Sequence, residues 1–418
     1  MGFFFTILYV FFLMVRPQEF VEAIRGWPVL DFMAGASLAG VFLEGGFSAE
    51  KFRRSVLNKL VLLFWLAISF SHLANFWFGG ALHYFNQFAK VAIVYYLIVL
   101  TVDTQRRLRI FLWVVLCMVV ILALQSIVQY YTGAGLLGGG HALLEAHIVR
   151  TRGVGIFGDP NDLALAIVTW MSFLLPAFHK PFLSRTIFTG LILLLPAVSG
   201  VAFTRSRGGI LGMAAVFWYY FYKRAGIIAA LVALAIMGSI FLALPRMGKI
   251  DTKEASARGR MEHWSVGLQL FKNHPLAGVG AGRFTEYHYR TAHNSFILVL
   301  AELGIVGAWV WVAMFVAAFR EIRLMRRIPR APPFLDRMLD ALGGCLVGWL
   351  TTAFFLSQSY KQLSFMVMGV IVATLNVLAG EGYEIKNAWS PKWTFISLLI
   401  TVGGVIFMHA VLIILWRL

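Results

Sequence analysis

Between Arg283 and Gly307 the chain passes from a polar loop rich in Arg, Tyr and His into an apolar run, and the change falls at His293-Asn294. An imidazole and a carboxamide at the mouth of a membrane span can meet water-borne chemistry while helix packing holds them still. The same pair has a plainer use: Asn294 as a helix cap and His293 as a side chain resting in the headgroup zone. Glu302 follows His293 by nine residues, about two and a half helical turns, and an acid at that depth has to pair inside the bundle. Four arginines supply the opposite charge: Arg205 and Arg207 in the turn Thr204-Arg205-Ser206-Arg207-Gly208-Gly209, then Arg260 and Arg290. Guanidinium groups stay charged and grip oxyanions through paired N–H donors, so the chemistry they suggest is the holding of an anion.

The elements that must position these residues are membrane helices. Of 418 residues 60% are hydrophobic and only 13% charged, with a mean hydropathy of +0.79, which describes an all-α polytopic membrane protein. The first apolar run, 3–15, is not followed by a small-residue cleavage site and reads as a short span rather than a cleavable signal peptide. Cys117 and Cys345 both fall in apolar runs and supply neither a disulfide framework nor a zinc set. The net charge of +17 is spread over short loops, where it orients spans, and forms no block or stripe for nucleic acid.

Apolar runs near 3–15, 29–43, 56–72, 83–101, 109–130, 161–179, 186–203, 208–222, 226–244, 294–319, 339–357, 362–379 and 393–416 give about 12 transmembrane helices in a single integral membrane domain, 1–418. With a cytoplasmic N-terminus, most Lys and Arg fall in alternate short loops, as the positive-inside bias requires. The exceptions then stand on the outer face: Arg150, Arg152, Arg205, Arg207, and the cations of a long loop, 245–293. Cations kept there against the bias point to an anion at the outer surface. Within that loop Ser256 to Asn273 reads as an amphipathic helix, with Met261, Trp264, Leu268 and Phe271 on one face and Asn273-His274-Pro275 as its stop. Pro275 to Arg283 follows as a glycine loop, readable as a plain turn or as a phosphate cradle.

These residues resemble a known family. His293-Asn294, nine residues and then Gly304-Ile305-Val306-Gly307 matches the pattern H-[NSQ]-x9-G-x-x-[GTY] of the bacterial O-antigen ligases. Gly259-Arg260 with Trp264, followed by His274 to Gly280, resembles the periplasmic loop of the wider O-antigen ligase/polymerase superfamily. Ser206-Arg207-Gly208 resembles its short turn, and Phe157-Gly158-Asp159-Pro160-Asn161 the Pro-Asn start of an earlier span. The resemblance covers roughly residues 150–380 and is densest over 256–307.

It implies a GT-C-type membrane glycosyltransferase, facing the periplasm from the inner membrane, that moves a glycan from an undecaprenyl-pyrophosphate-linked donor to an acceptor hydroxyl. The acceptor is a lipid A-core, a growing polysaccharide or a protein, with the ligase type preferred over a repeat-unit polymerase or a protein O-oligosaccharyltransferase. No cofactor or metal is expected, and membrane lipids are the other partners. Under this reading Arg207 and Arg260 hold the diphosphate, Arg205 and Arg290 support them, and His293 is the general base of an inverting transfer. Asn294 and Glu302 support the site, while His263, His274 and His288 are expected to tolerate replacement far better. Two rivals remain: a metal-dependent transferase using Glu19, Glu22 or Asp31 in the first outer loop, and a secondary transporter of an anionic solute with the arginines as its vestibule.

Overall fold

The computed structural model describes residues 1–136, 140–145, 148–179, 185–243, 255–329, 332, 334–385, 387 and 389–417. Residues 245–254 of the expected loop, with Arg246, Lys249 and Lys253, lie outside them, as do Lys180, Lys386 and the side chain of Arg258.

Helices dominate. The first six are α1 (Gly2–Met14), α2 (Val29–Leu43), α3 (Ala49–Arg53), α4 (Val56–Leu73), α5 (Phe78–Thr101) and α6 (Gln105–Thr132). A small antiparallel hairpin, β1 (Leu143–Glu145) and β2 (Ile148–Arg150), precedes α7 (Pro160–Met171), which runs on as a 3-10 segment, Ser172–His179. Then come α8 (Arg185–Phe203), α9 (Arg207–Ala243), α10 (Ala255–Asn273) and the single turn α11 (Phe284–Tyr287). The last four are α12 (Ser295–Met325), α13 (Leu335–Ala353), α14 (Gln362–Gly380) and α15 (Pro391–Arg417).

Seven described helices are long and apolar enough to cross a membrane: α4, α5, α6, α9, α12, α14 and α15. Shorter apolar helices, α1, α2 and the 189–203 part of α8, accompany them. The chain is a multi-pass helical membrane protein. α12 and α14 are buried on most sides, whereas α9 and α15 turn Leu231, Ile236, Leu399 and Ile406 outward, as helices facing lipid do. α13 lies along α9, α14 along α5, α8 along α6 and α4 along α12. Small residues set the closest approach, since a side chain at Gly212 would strike Thr352 and one at Gly348 would strike Val216.

Polar side chains gather at the two ends. At one, Asp103 pairs with Lys51 and Arg107, both at 2.9 Å, and buried Asp340 pairs with Arg224 and Arg326. At the other stand His293, the Asp162–Lys361 pair (2.8 Å) and the Arg16–Glu19 pair (2.9 Å). Two helices are interrupted. α9 breaks at Gly226, where the sequence shows two apolar runs, and α12 breaks at Gly304 inside what reads as one continuous run.

Candidate active site

The His293 end rests on the break in α12. Gly304 has φ 63°, a backbone that L side chains rarely adopt, and a Cβ there would strike the main chain of Leu276 and Ala277. A broken helix leaves main-chain groups without helical partners, which inside a membrane protein must be satisfied by other protein groups. The loop after α10 does this. Val279 and Gly280 N–H donate to the Ala301 and Glu302 carbonyls, each at 3.0 Å, and Ile305 N–H donates to the Pro275 carbonyl at 2.8 Å. The buried Glu302 carboxylate accepts Phe284 N–H at 3.0 Å, and Ser71 Oγ on α4 accepts Ala281 N–H at 3.2 Å. The N–H groups of Gly278, Val279, Gly280, Ala281 and Arg283 are thus consumed within the protein. The loop is a turn that fills a broken helix rather than a phosphate cradle.

Above this joint the chain turns into α12. Asn294 is its N-cap, with Oδ1 accepting Phe296 and Ile297 N–H at 2.9 and 3.0 Å. His293 has φ 46°, and its N–H donates to Ser357 Oγ at 3.0 Å, which in turn donates to Thr291 Oγ1 at 2.9 Å. Ser295 Oγ donates to the Leu356 carbonyl at 2.6 Å and accepts Gln358 N–H at 2.9 Å. The segment 354–361 between α13 and α14 therefore fixes the start of α12, and through Gln358 and Lys361 it also grips Asp162 of α7.

The arginines reach this end from separate elements. Arg260, on α10, lies with its guanidinium 5.6 Å from the centroid of Phe355, and the same ring packs against Gly208. Phe355 thus joins α10 to the turn that holds Arg205 and to half-buried Arg207, the first residue of α9. Arg205 is buried, has φ 52°, and lies 5.9 Å over Tyr130 of α6; among the described residues its Nε and Nη1 have no hydrogen-bond partner. Arg150 on β2 donates from Nε to the Thr204 carbonyl at 3.2 Å and so braces this turn. Arg290 is exposed beside Tyr289. Glu302 is not among the groups around His293; it serves the loop beneath.

Electrostatics tie His293 to its surroundings. Burial, and then the Arg260 guanidinium, hold its imidazole below the ordinary histidine range; Asp159 opposes them and Arg290 adds a smaller push the same way. The ring is therefore mainly neutral at neutral pH and free to accept a proton. Asp159 owes its place to α7, which it caps ahead of Pro160, accepting Asn161 N–H at 2.7 Å.

One histidine expected to tolerate replacement stands close to His293. The buried ring of His263 lies 5.5 Å from His293 and 4.7 Å from His288, between centroids, and among the described residues neither of its nitrogens has a hydrogen-bond partner. Burial first, then His288 and His293, push it down to about 4. α10 brings it there because His263 follows Arg260 by three residues, nearly one helical turn. His274 is exposed. Glu19 is engaged with Arg16, and a side chain at Gly155 would collide with both. Among the described residues no group of three or more His, Cys, Asp or Glu is arranged to hold a metal ion.

Sequence reasoning misses Asp162, Phe355, Ser357 and Lys361, and reads Asp159 only as part of the start of a span. Lys361 carried a legible signal, a cation at the same end as the retained arginines. Phe355 and Ser357 carried none, since an uncharged residue joins a site only through where the fold puts it. Beneath Ser295 a cavity of about 380 Å³ opens between α12, α13 and α15, lined by Phe296, Trp311, Phe315, Phe319, Phe354 and Ile400.

Residues 164–312 match the family model described as O-antigen ligase. The match runs from α7 into α12 and holds all four candidate arginines, His293, Asn294 and Glu302. The comparison with curated proteins gave no match.

Proposed function

We propose that this chain, whose central segment supports placement in the O-antigen ligase/polymerase superfamily, is a ligase-type membrane glycosyltransferase of the inner membrane. It has about 12 spans in a GT-C-type arrangement and works at its periplasmic face. The donor is a glycan on undecaprenyl pyrophosphate. Arg207 and Arg260 hold the diphosphate, with Arg205 and Arg290 adding positive charge. As the acceptor oxygen bonds to the anomeric carbon, its proton passes to His293; the bond from that carbon to the diphosphate oxygen breaks, and the electron pair leaves with undecaprenyl pyrophosphate. Attack opposite the leaving group inverts the centre, and the guanidinium charge stabilises the departing diphosphate.

The observation that carries the reading is the place of His293 at the capped start of α12, 5.5 Å between ring centroids from His263, which stands about one turn from Arg260 on α10. A proton acceptor and an oxyanion holder stand together where spans meet water. The apolar cavity beneath Ser295 gives room for an isoprenoid chain next to that group. Against a transporter, the carbonyls of Ala301 and Glu302 and the N–H of Ile305 at the interruption are bonded to the 275–284 loop rather than turned to an ion.

His293→Ala should lower turnover by about 10²–10⁴ while donor binding persists, with exposed His274→Ala close to the parent. Turnover within a few fold of the parent in His293→Ala would remove the base. Lost donor binding would make His293 a diphosphate ligand instead. Arg207→Lys and Arg260→Lys should both be severely impaired at matched expression, since an ammonium lacks the two-pronged contact. Activity should survive EDTA; strong inhibition reversed by Mn²⁺ would favour the metal-dependent rival. Mass spectrometry of surface glycans after deletion separates the acceptors, which share this donor chemistry: loss of a capped lipid marks a ligase, shortened chains a polymerase, and an unmodified protein an oligosaccharyltransferase.

A further inference from the structure

Arg109 on α6 and Arg337 on α13 stand at the end opposite His293, apart from the paired cations there. Lys51 and Arg107 pair with Asp103, and Arg224 and Arg326 both pair with buried Asp340. Among the described residues no carboxylate pairs with Arg109 or Arg337. Both border one cavity of about 250 Å³ between α6, α13 and the 3-10 segment after α7. Apart from the two arginines and Gln105 its lining is apolar: Leu108 and Leu112 from α6, Phe173 and Pro176 from the 3-10 segment, Met338 from α13, with Phe334 just before it. Beside it Ile110 and Trp113 of α6 are exposed, so this flank of the helix faces the bilayer.

We infer that this cavity binds an anionic phospholipid, its phosphate between Arg109 and Arg337 and an acyl chain in the cleft below. The charge calls for an oxyanion, because two arginines border one cavity and, among the described residues, no carboxylate pairs with either. The lining calls for hydrocarbon. A free phosphate would satisfy the arginines and leave the cleft to water, and a neutral lipid would do the reverse. Basic pockets between spans on the Lys- and Arg-rich side are where anionic headgroups are held. Leu112 lies one turn deeper than Leu108, the direction an acyl chain would follow from an interfacial phosphate. The site is remote from His293, and its test reads no turnover, so it stands or falls apart from the proposed glycosyl transfer.

Native mass spectrometry of the detergent-purified full chain, with added phosphatidylglycerol or phosphatidylcholine, tests this. The parent should retain phosphatidylglycerol roughly tenfold more readily than phosphatidylcholine. Arg109→Gln with Arg337→Gln should abolish that preference, whereas Arg106→Gln, exposed on the same helix, should keep it. Arg109→Gln alone, at an exposed position, should weaken it even if the double variant misfolds. Leu112→Trp should lower retention by filling the cleft while both arginines remain. Equal retention of the two lipids, or an unchanged preference in the arginine variants, would overturn the site. Displacement of the lipid by excess inorganic phosphate would show a plain anion site and overturn the lipid assignment.

Discussion

Gly226 in α9 and Gly304 in α12 both interrupt apolar helices with a positive φ, 82° and 63°. At Gly226 a Cβ would meet nothing within 4 Å, and Lys223 and Arg224 stand just before it. That break is a turn between two apolar runs. At Gly304 a Cβ would strike the main chain of a loop that has entered the break and taken over its hydrogen bonds. At ~1.5 Å per residue this joint lies roughly 13 Å below the start of α12. The two glycines share one conformational freedom; what fills the gap separates them. An empty break needs only a flexible residue, whereas a filled one makes the glycine part of a packed joint that supports His293.

Gly304→Val should show the largest effect. It adds a strained φ, about 1–2 kcal/mol, to a collision with main chain that cannot rotate away, about 1–3 kcal/mol more. The purified protein should lose monodisperse yield or several degrees of thermal midpoint, and a parental midpoint would mean that the joint is loose. Glu302→Ala comes next, because it strands the buried Phe284 N–H at about 1–3 kcal/mol. Glu302→Gln, which keeps a carbonyl acceptor, should lose less and leave the 275–284 loop more resistant to protease than Glu302→Ala. Equal cleavage of the two would show that the carboxylate does not latch the loop.

Gly226→Ala should cost about 1 kcal/mol from φ alone and leave turnover unchanged. A loss as large as that of Gly304→Val would erase the distinction between the breaks. The finest test reads the residue above the joint. Arg260 disfavours the charged form of His293, so Arg260→Gln should raise the His293 pKa and move the acid limb of kcat/KM to higher pH. Asp159 favours the charged form, so Asp159→Asn should move that limb lower. Limbs that stay in place in both variants would detach the pH profile from His293.

Much of this was legible in residue types. α10 appears within one residue of the Ser256–Asn273 expected from its apolar spacing, because an amphipathic stripe and a His-Pro stop are local properties. Asn294 could be read as a cap because its role needs only the next three residues. The interruption of α12 was not legible, since Gly304 sits in an unbroken apolar run and its partner loop lies more than twenty residues away in sequence. His263 was read as peripheral for the same reason: its distance to His293 depends on how α10 folds back over α12.

The sequence by itself determined the solvent and the charges. Its hydropathy calls for membrane helices, and its Lys and Arg bias leaves a set of outer-face cations that includes Arg205, Arg207, Arg260 and Arg290. These follow from transfer free energies that each residue carries wherever it stands. Only the tertiary structure decided which groups meet: Arg260 over Phe355, His293 on Ser357, Glu302 beneath the glycine loop. Burial, coupled charges and main-chain bonds across a broken helix are pairwise quantities. They take a value only once distant segments are packed.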